Sequence, residues 1–259
     1  GFEDNGLINS VIVDQAMRCG MSWDLSEAIA ARAMCHAENS YFIKNMRITS
    51  HRLKTNTQSN TAFRGFGGPQ GIVGMERVID HVAHHLNVDP LLVRERNFYP
   101  HKTSATHGIT PYGQTVHDCI IQDIISELKK TSDYADRRKD IEKFNKNSEF
   151  LKRGISLTPV KFGISFNASF LNQAGALLHV YNDGSVYLNH GGTEMGQGLN
   201  TKIAQIVANE FQLPLDAIKI TATSTGKVPN TSATAASSGS DLNGMAAKNA
   251  AEKIKSRMA

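Results

Sequence analysis

Cysteine is scarce: Cys19, Cys35 and Cys119 are the three in 259 residues, widely spaced and without a C-x-x-C pair. An odd, scattered set excludes a disulfide framework and cannot by itself ligate zinc or an iron–sulfur cluster, so the thiols read as reduced and structural, as suits a cytoplasmic protein. No apolar run approaches the ~18 residues that a membrane span needs. The opening Gly1-Phe2-Glu3 carries neither an initiator methionine nor a basic-then-apolar leader, and the expectation is an internal piece of a longer soluble chain. A dominant charge is missing too, with 28 Lys and Arg against 24 acids. The whole +4 balance falls between Lys129 and Arg153, where nine basic residues meet five acids. Without aromatic interleaving or a nucleic-acid motif, that stretch reads as a solvated helical connector.

What is present is an ordinary globular mixture, 40% hydrophobic with 21 glycines. A turn at Asp4-Asn5-Gly6 precedes the alternating Leu7, Ile8, Val11 and Val13. Asp24 and Glu27 read as a capping box for an alanine-rich helix running to Asn39. A strand is expected over 43–52, a helix over 70–86 and a short helix from Asp89-Pro90. Turn formers cluster over 100–113, and 116–148 is helical and charged. Beyond Leu151 the pattern predicts strands at 151–158, 173–181, 185–190 and 217–223, with helices after Gly198 and from Asp241. The Asp183-Gly184 pair between apolar runs marks a hairpin. Strands mixed with helices, one hairpin among them, give an α+β fold class. From Gly154 to Ala247 there are nine charges in 94 residues, about half the density of the chain, which predicts a surface covered by other protein.

Three constellations bear on chemistry. Gly191–Gly198 lies between a strand and a helix, where backbone N–H groups bind anions, but it lacks the Lys-Ser/Thr of a nucleotide loop; an anion site and a plain turn both fit. His81, His84 and His85 fall opposite the apolar face set by Ile72, Met75, Ile79, Val82 and Leu86, which predicts exposed imidazoles and no metal. Leu25, Ile29, Arg32 and His36 share one helical stripe. An arginine there needs an anion or another acceptor, and a structural salt bridge satisfies that need as well as a ligand does.

The run Ser59-Asn60-Thr61-Ala62-Phe63-Arg64-Gly65-Phe66-Gly67-Gly68-Pro69-Gln70-Gly71 resembles the substrate-pocket motif of the xanthine dehydrogenases, members of the molybdenum hydroxylase (xanthine oxidase/aldehyde oxidase) family. KFGISF at 161–166, LNQAGALLHVYNDGSVYLNHGGTEMGQGL at 171–199 and VPNTSATAAS at 228–237 follow in the family's order. The resemblance implies the α+β molybdenum cofactor-binding domain: residues 1–100 as the end of a first subdomain, 101–150 as a charged connector, and 151–259 as the start of a second. It implies that Phe66 and Phe166 sandwich a purine, with Asn167 at the pocket edge where the family commonly has threonine. Arg32 matches the arginine that binds the substrate's polar edge and stabilises negative charge as the ring is hydroxylated, making it the catalytic candidate. Arg64, Met195, Gly196, Gln197, Ala236 and Ser237 match positions around the molybdenum–molybdopterin cofactor.

The same resemblance implies oxidation of hypoxanthine and xanthine to urate, with electrons leaving through 2Fe-2S clusters and FAD, in other domains or another subunit, to NAD. Implied partners are the purine substrate, the remainder of the molybdenum subunit, the iron–sulfur/FAD part and further copies in an oligomer, with no nucleic acid and no membrane. The family's upstream purine-binding glutamate and downstream base glutamate are not among these residues, so the chain alone is expected to be inactive. Rival readings are an aldehyde or other N-heterocycle oxidoreductase and a non-catalytic binding or assembly module. Aldehyde oxidases generally lack an arginine at the position of Arg32, which favours the purine.

Overall fold

The computed structural model describes residues 1–222, 224, 226 and 231–258. They fall in two compact units, 1–162 and from 163 onward, each described by itself.

The first unit begins with a β–α–β crossover. Strands β1 (Ser10–Gly20) and β2 (Asn45–Lys54) pair in parallel, from Ser10 opposite Asn45 to Arg18 opposite Leu53, with a register shift before Gly20. Parallel strands need a crossover, here helix α1 (Ser26–Cys35). The expected capping box does not form. Asp24 takes φ +41°, and the cap position falls to Leu25, which makes no side-chain cap bond. A capping side chain normally projects from extended backbone, which a left-handed residue does not offer. The helix also stops at Cys35, and 36–40 continue as turns rather than helix.

Helix α2 (Gly68–Leu86) follows its 3.6-residue pattern, burying Met75, Ile79 and Val82 against Tyr41, Leu91 and Val93, with His81, His84 and His85 exposed as expected. In α3 (Pro90–Arg96) the Asp89 carboxylate accepts the Leu91 N–H at 2.8 Å, as Asp-Pro predicts. Buried Asn97 staples the N-terminal segment: its Oδ1 accepts from Ile8 N–H and its Nδ2 donates to the Gly6 carbonyl. The two-residue strands β3 (Gly108–Ile109) and β4 (Thr115–Val116) pair within the turn-rich stretch. The charged helical stretch divides into α4 (Ile121–Thr131) and α5 (Tyr134–Asn147) at Asp133, which has φ +50°. Two of its basic residues pair with acids of the α3 segment, Lys129 with Glu95 and Arg138 with Asp89.

No strand forms over 151–158. Leu157 and Ile155 pack on the first unit's core, and the backbone beyond them bonds to a side chain: Asn39 donates to the Pro159 carbonyl and accepts from Lys161 N–H.

In the second unit β5 (Ala176–Val180) and β6 (Val186–His190) make the predicted hairpin, and β7 (Ile218–Ile220) adds in parallel to β6. Gly184 at φ +82° turns it, with the Asp183 carboxylate accepting Ser185 N–H and Oγ–H. Helices α6 (Leu199–Phe211) and α7 (Gly239–Met258) cover one sheet face, packing Leu199, Ile203, Val207, Ala247 and Ala251 on Val186 and Leu188. Leu177 and Tyr187 stay exposed. The strand expected over 217–223 ends at Ile220, and Thr223 lies outside the described residues. The α+β class holds.

Candidate functional site

Each unit carries some of the candidate residues, and each set is described by itself. In the first, α1 presents Arg32, buried to 7% exposure, with its guanidinium carbon 5.8 Å from the centroid of the Phe162 ring. The Phe66 loop reaches this helix through glycine. Gly65, Phe66 and Gly67 take φ of +96°, +50° and +99° in succession. A Cβ on Gly67 would stand 2.1 Å from the carbonyl oxygen of Ile29, one turn before Arg32, and one on Gly71 would stand 2.3 Å from that of Ala33. Bare backbone thus lets loop and helix touch, which brings Phe66, half-buried, beside the turn of Arg32. Arg64 projects into solvent. A recess of about 450 Å³ between β1 and helices α1 and α2 includes none of Arg32, Arg64 or Phe66 in its lining.

Glu38, Lys161 and His36, the last on the stripe of Arg32, support this half. The carboxylate of fully buried Glu38 is ion-paired with Lys161. Burial pushes that carboxyl above its ordinary range, and the Lys161 charge opposes the shift. Burial also holds the His36 imidazole below its ordinary value; its Nδ1 lies 2.8 Å from the Arg32 carbonyl oxygen, and its ring centroid is 4.8 Å from that of Phe162. The signal available in the sequence was a lysine directly before Phe162 in the run KFGISF; Glu38, between His36 and Asn39-Ser40, looks like part of a polar turn.

The second unit gathers three loops. Asn172 clamps the backbone of Phe166, accepting its N–H and donating to its carbonyl, both at 2.9 Å. Next to it, Ser165 N–H donates to the Ala236 carbonyl at 2.8 Å, joining the Phe166 loop to Ala236 and Ser237, which take φ of +56° and +58°. Thr193 N–H donates to Thr234 Oγ1 at 2.8 Å, tying in the glycine loop. Phe166, Ala236, Ser237 and the loop of Met195, Gly196 and Gln197 are therefore brought together, while Asn167 is exposed. Val228–Asn230 of the fourth matching run lie outside the described residues.

The glycine loop supplies its own anion. One oxygen of Glu194 accepts Gly196 N–H at 2.9 Å and Gly198 N–H at 3.0 Å, and the other accepts Asn200 N–H at 3.0 Å. The N–H groups of Asn200, Gly198 and Gly196 hold this carboxyl below its ordinary range. A second anion there would face that negative charge, so the anion reading of this helix start gives way to an internal cap. The Gln197 amide is engaged at both ends, accepting Met195 N–H and donating to the Thr193 carbonyl. What the loop offers outward is the exposed Met195 and Gly196, whose φ is +93° and whose missing Cβ would meet nothing within 4 Å. Such bare backbone admits a flat polar group at contact distance. Among the described residues no group of three or more His, Cys, Asp or Glu is placed to hold a metal ion, and no helix is long and apolar enough to cross a membrane.

Two family models, both described as molybdopterin cofactor-binding domain, match residues 1–98 and 127–259. The chain is 48% identical over 258 residues to a xanthine dehydrogenase of Calliphora vicina and 45% identical over 260 residues to one of Blastobotrys adeninivorans. Each alignment takes in 100% of this chain but 19% and 18% of those relatives, so the chain spans less than a fifth of their length. Among solved structures, quinoline 2-oxidoreductase of Pseudomonas putida 86 superposes with a TM-score of 0.84 at 21% identity, over 99% of this chain and 34% of that one. Aldehyde oxidoreductase of Desulfovibrio desulfuricans gives 0.79 at 21%, over 97% and 27%.

Proposed function

Because the chain belongs to the molybdopterin cofactor-binding domain family, we propose that it is part of the molybdenum-binding portion of a xanthine dehydrogenase, in which Arg32, Phe66, Phe166 and Asn167 face a purine. The observation that carries this reading is Arg32, a guanidinium buried beside an aromatic ring and one turn from the contact that seats the Phe66 loop. A purine offers a polar edge on which negative charge grows during oxidation, and a fixed cation there acts where charge develops. Phe66 and Phe166 offer ring faces to a flat heterocycle.

The residues present fit molybdopterin. Its metal arrives on an organic ligand, which suits a site where no protein donor cluster stands among the described residues. The open backbone at Gly196 suits the flat, uncharged part of such a group, and the exposed Arg64 suits its phosphate. Arg64, Met195, Gly196, Gln197, Ala236 and Ser237 would hold it. When bound, the molybdenum group supplies the redox centre at which the substrate carbon is oxidised with oxygen from water. Arg32 orients the purine, and the aromatic pair fixes its plane. The remainder of the molybdenum portion and the 2Fe-2S and FAD parts complete the enzyme, in the cytoplasm and as an oligomer.

The test is xanthine-dependent NADH formation by the full-length parent, with molybdenum analysis. Activity is expected in the wild type, and Arg32→Met is expected to lose about 10²–10³-fold in kcat/KM for xanthine. A parent that binds molybdenum but oxidises aldehydes and not xanthine would overturn the reading in favour of the aldehyde relatives; one that binds no molybdenum would favour an assembly module.

A further inference from the structure

Phe162 belongs to no helix or strand and is 36% exposed, yet three groups meet its ring. The Arg32 guanidinium carbon lies 5.8 Å from its centroid, and the His36 ring lies 4.8 Å away, tilted by 44°. A Cβ on Gly68 would come within 2.5 Å of its Cε2, so the ring rests on the bare backbone that opens α2. Arg32 and His36 are one turn apart, and Gly68 follows Phe66 by two residues. One ring therefore touches both the line of α1 that carries Arg32 and the segment that carries Phe66.

The ring is held from behind by the residue before it. Lys161 N–H donates to Asn39 Oδ1 at 3.1 Å, and its ammonium is ion-paired with fully buried Glu38. The rings of Tyr99 and Tyr112 flank that ammonium at 5.5 and 5.2 Å. Burying a carboxylate is costly, and apolar residues pack a core as well without it. What the pair adds is a fixed backbone position immediately before Phe162. A long arginine side chain gains orientation from a ring face through cation–π attraction, which strengthens as the cation loses water.

We infer that Phe162 is a positioning residue for Arg32, setting the guanidinium's direction toward the substrate edge, with Lys161 and Glu38 anchoring the ring. The kinetic half of this inference rests on the proposed purine oxidation; the geometric half does not. The geometry is read in the 259-residue chain labelled with ¹⁵Nε-arginine, the Arg32 signal being assigned by its loss in Arg32→Lys. The Arg32 Nε–H proton is expected to be ring-current shifted, to lose that shift in Phe162→Leu and to keep it in Phe162→Tyr. An Arg32 signal unmoved by Phe162→Leu overturns the inference.

In the full-length parent, Phe162→Leu is expected to lower kcat and kcat/KM for xanthine together by about tenfold, and Phe162→Tyr to restore them. In an Arg32→Met background Phe162→Leu is expected to cost nothing further, because it acts through Arg32. A full additional loss in that background, or none in the single variant, overturns the inference. A wild-type parent without purine turnover overturns the proposed function instead, and the ring-current shift then decides the positioning by itself.

Discussion

Gly67 and Ile29 are in backbone contact: a methyl group on the Gly67 α-carbon would stand 2.1 Å from the Ile29 carbonyl oxygen, and the glycine's φ is +99°. Gly67→Ala therefore meets a steric clash and a left-handed backbone at once, and is expected to cost about 3 kcal/mol in urea unfolding. Gly74 in the same stretch of chain is the control. It is exposed on α2, and a Cβ there would meet nothing within 4 Å, so Gly74→Ala is expected to stabilise by about 0.5–1 kcal/mol.

Lys161→Met removes the partner of a fully buried carboxylate. The expected loss is about 3–5 kcal/mol, the usual penalty for stranding a buried charge. The double change Glu38→Met with Lys161→Met is expected to recover most of it, since both charges leave together. Chemical denaturation of the three variants checks both statements.

His36 and His190 are both held below the ordinary imidazole value of 6.5, chiefly by burial. The unfolded chain then binds protons that the folded chain refuses, so stability is full above about pH 6.5 and falls as the pH drops toward the folded values. His190→Asn is expected to make that fall shallower, measured as unfolding midpoints across pH 5 to about 7.5. Glu38, whose folded carboxyl is raised, contributes the opposite trend: stability is lost as the pH rises from its ordinary range through the raised value.

Glu194 carries the reverse sign. Its folded carboxyl is lowered by the N–H groups it accepts, so its contribution is present above the ordinary carboxylate range and is lost as the pH falls through the lowered value. Glu194→Gln keeps one acceptor oxygen but loses the charge and the second. It is expected to reduce the molybdenum content of the purified parent, read by metal analysis, while leaving the β5–β6 hairpin fold unchanged by circular dichroism.

Legibility in the sequence followed locality. Helix α2, the Asp183-Gly184 hairpin and the Asp89 cap are set by neighbours a few residues apart, and all three stand as the spacing predicts. The Asp24 cap failed because a single backbone angle, φ +41°, turned the residue away. The strand expected over 151–158 failed because alternation describes a half-buried segment without naming its partner: Ile155 and Leu157 pack on the first unit's core with no strand beside them, and the backbone just beyond, at Pro159 and Lys161, bonds to the Asn39 side chain. Arg32 stood out on its stripe and is buried with Ile29 and His36, whereas Leu25 of the same stripe is exposed. Glu38 and Lys161 were invisible as a pair because 123 positions separate them, and no periodicity spans that distance.

The Glu194 cap also bears on the order in which a holoprotein is assembled. A loop whose N–H groups are satisfied from within keeps its left-handed turns at Gly196 and Gly198 without waiting for a ligand. Ordering those residues is then a cost of folding and not of binding, and affinity for an incoming group is not reduced by it. The loop at Met195–Gln197 is finished when the chain folds, so if it holds the cofactor as proposed, insertion is a late step onto a formed protein surface.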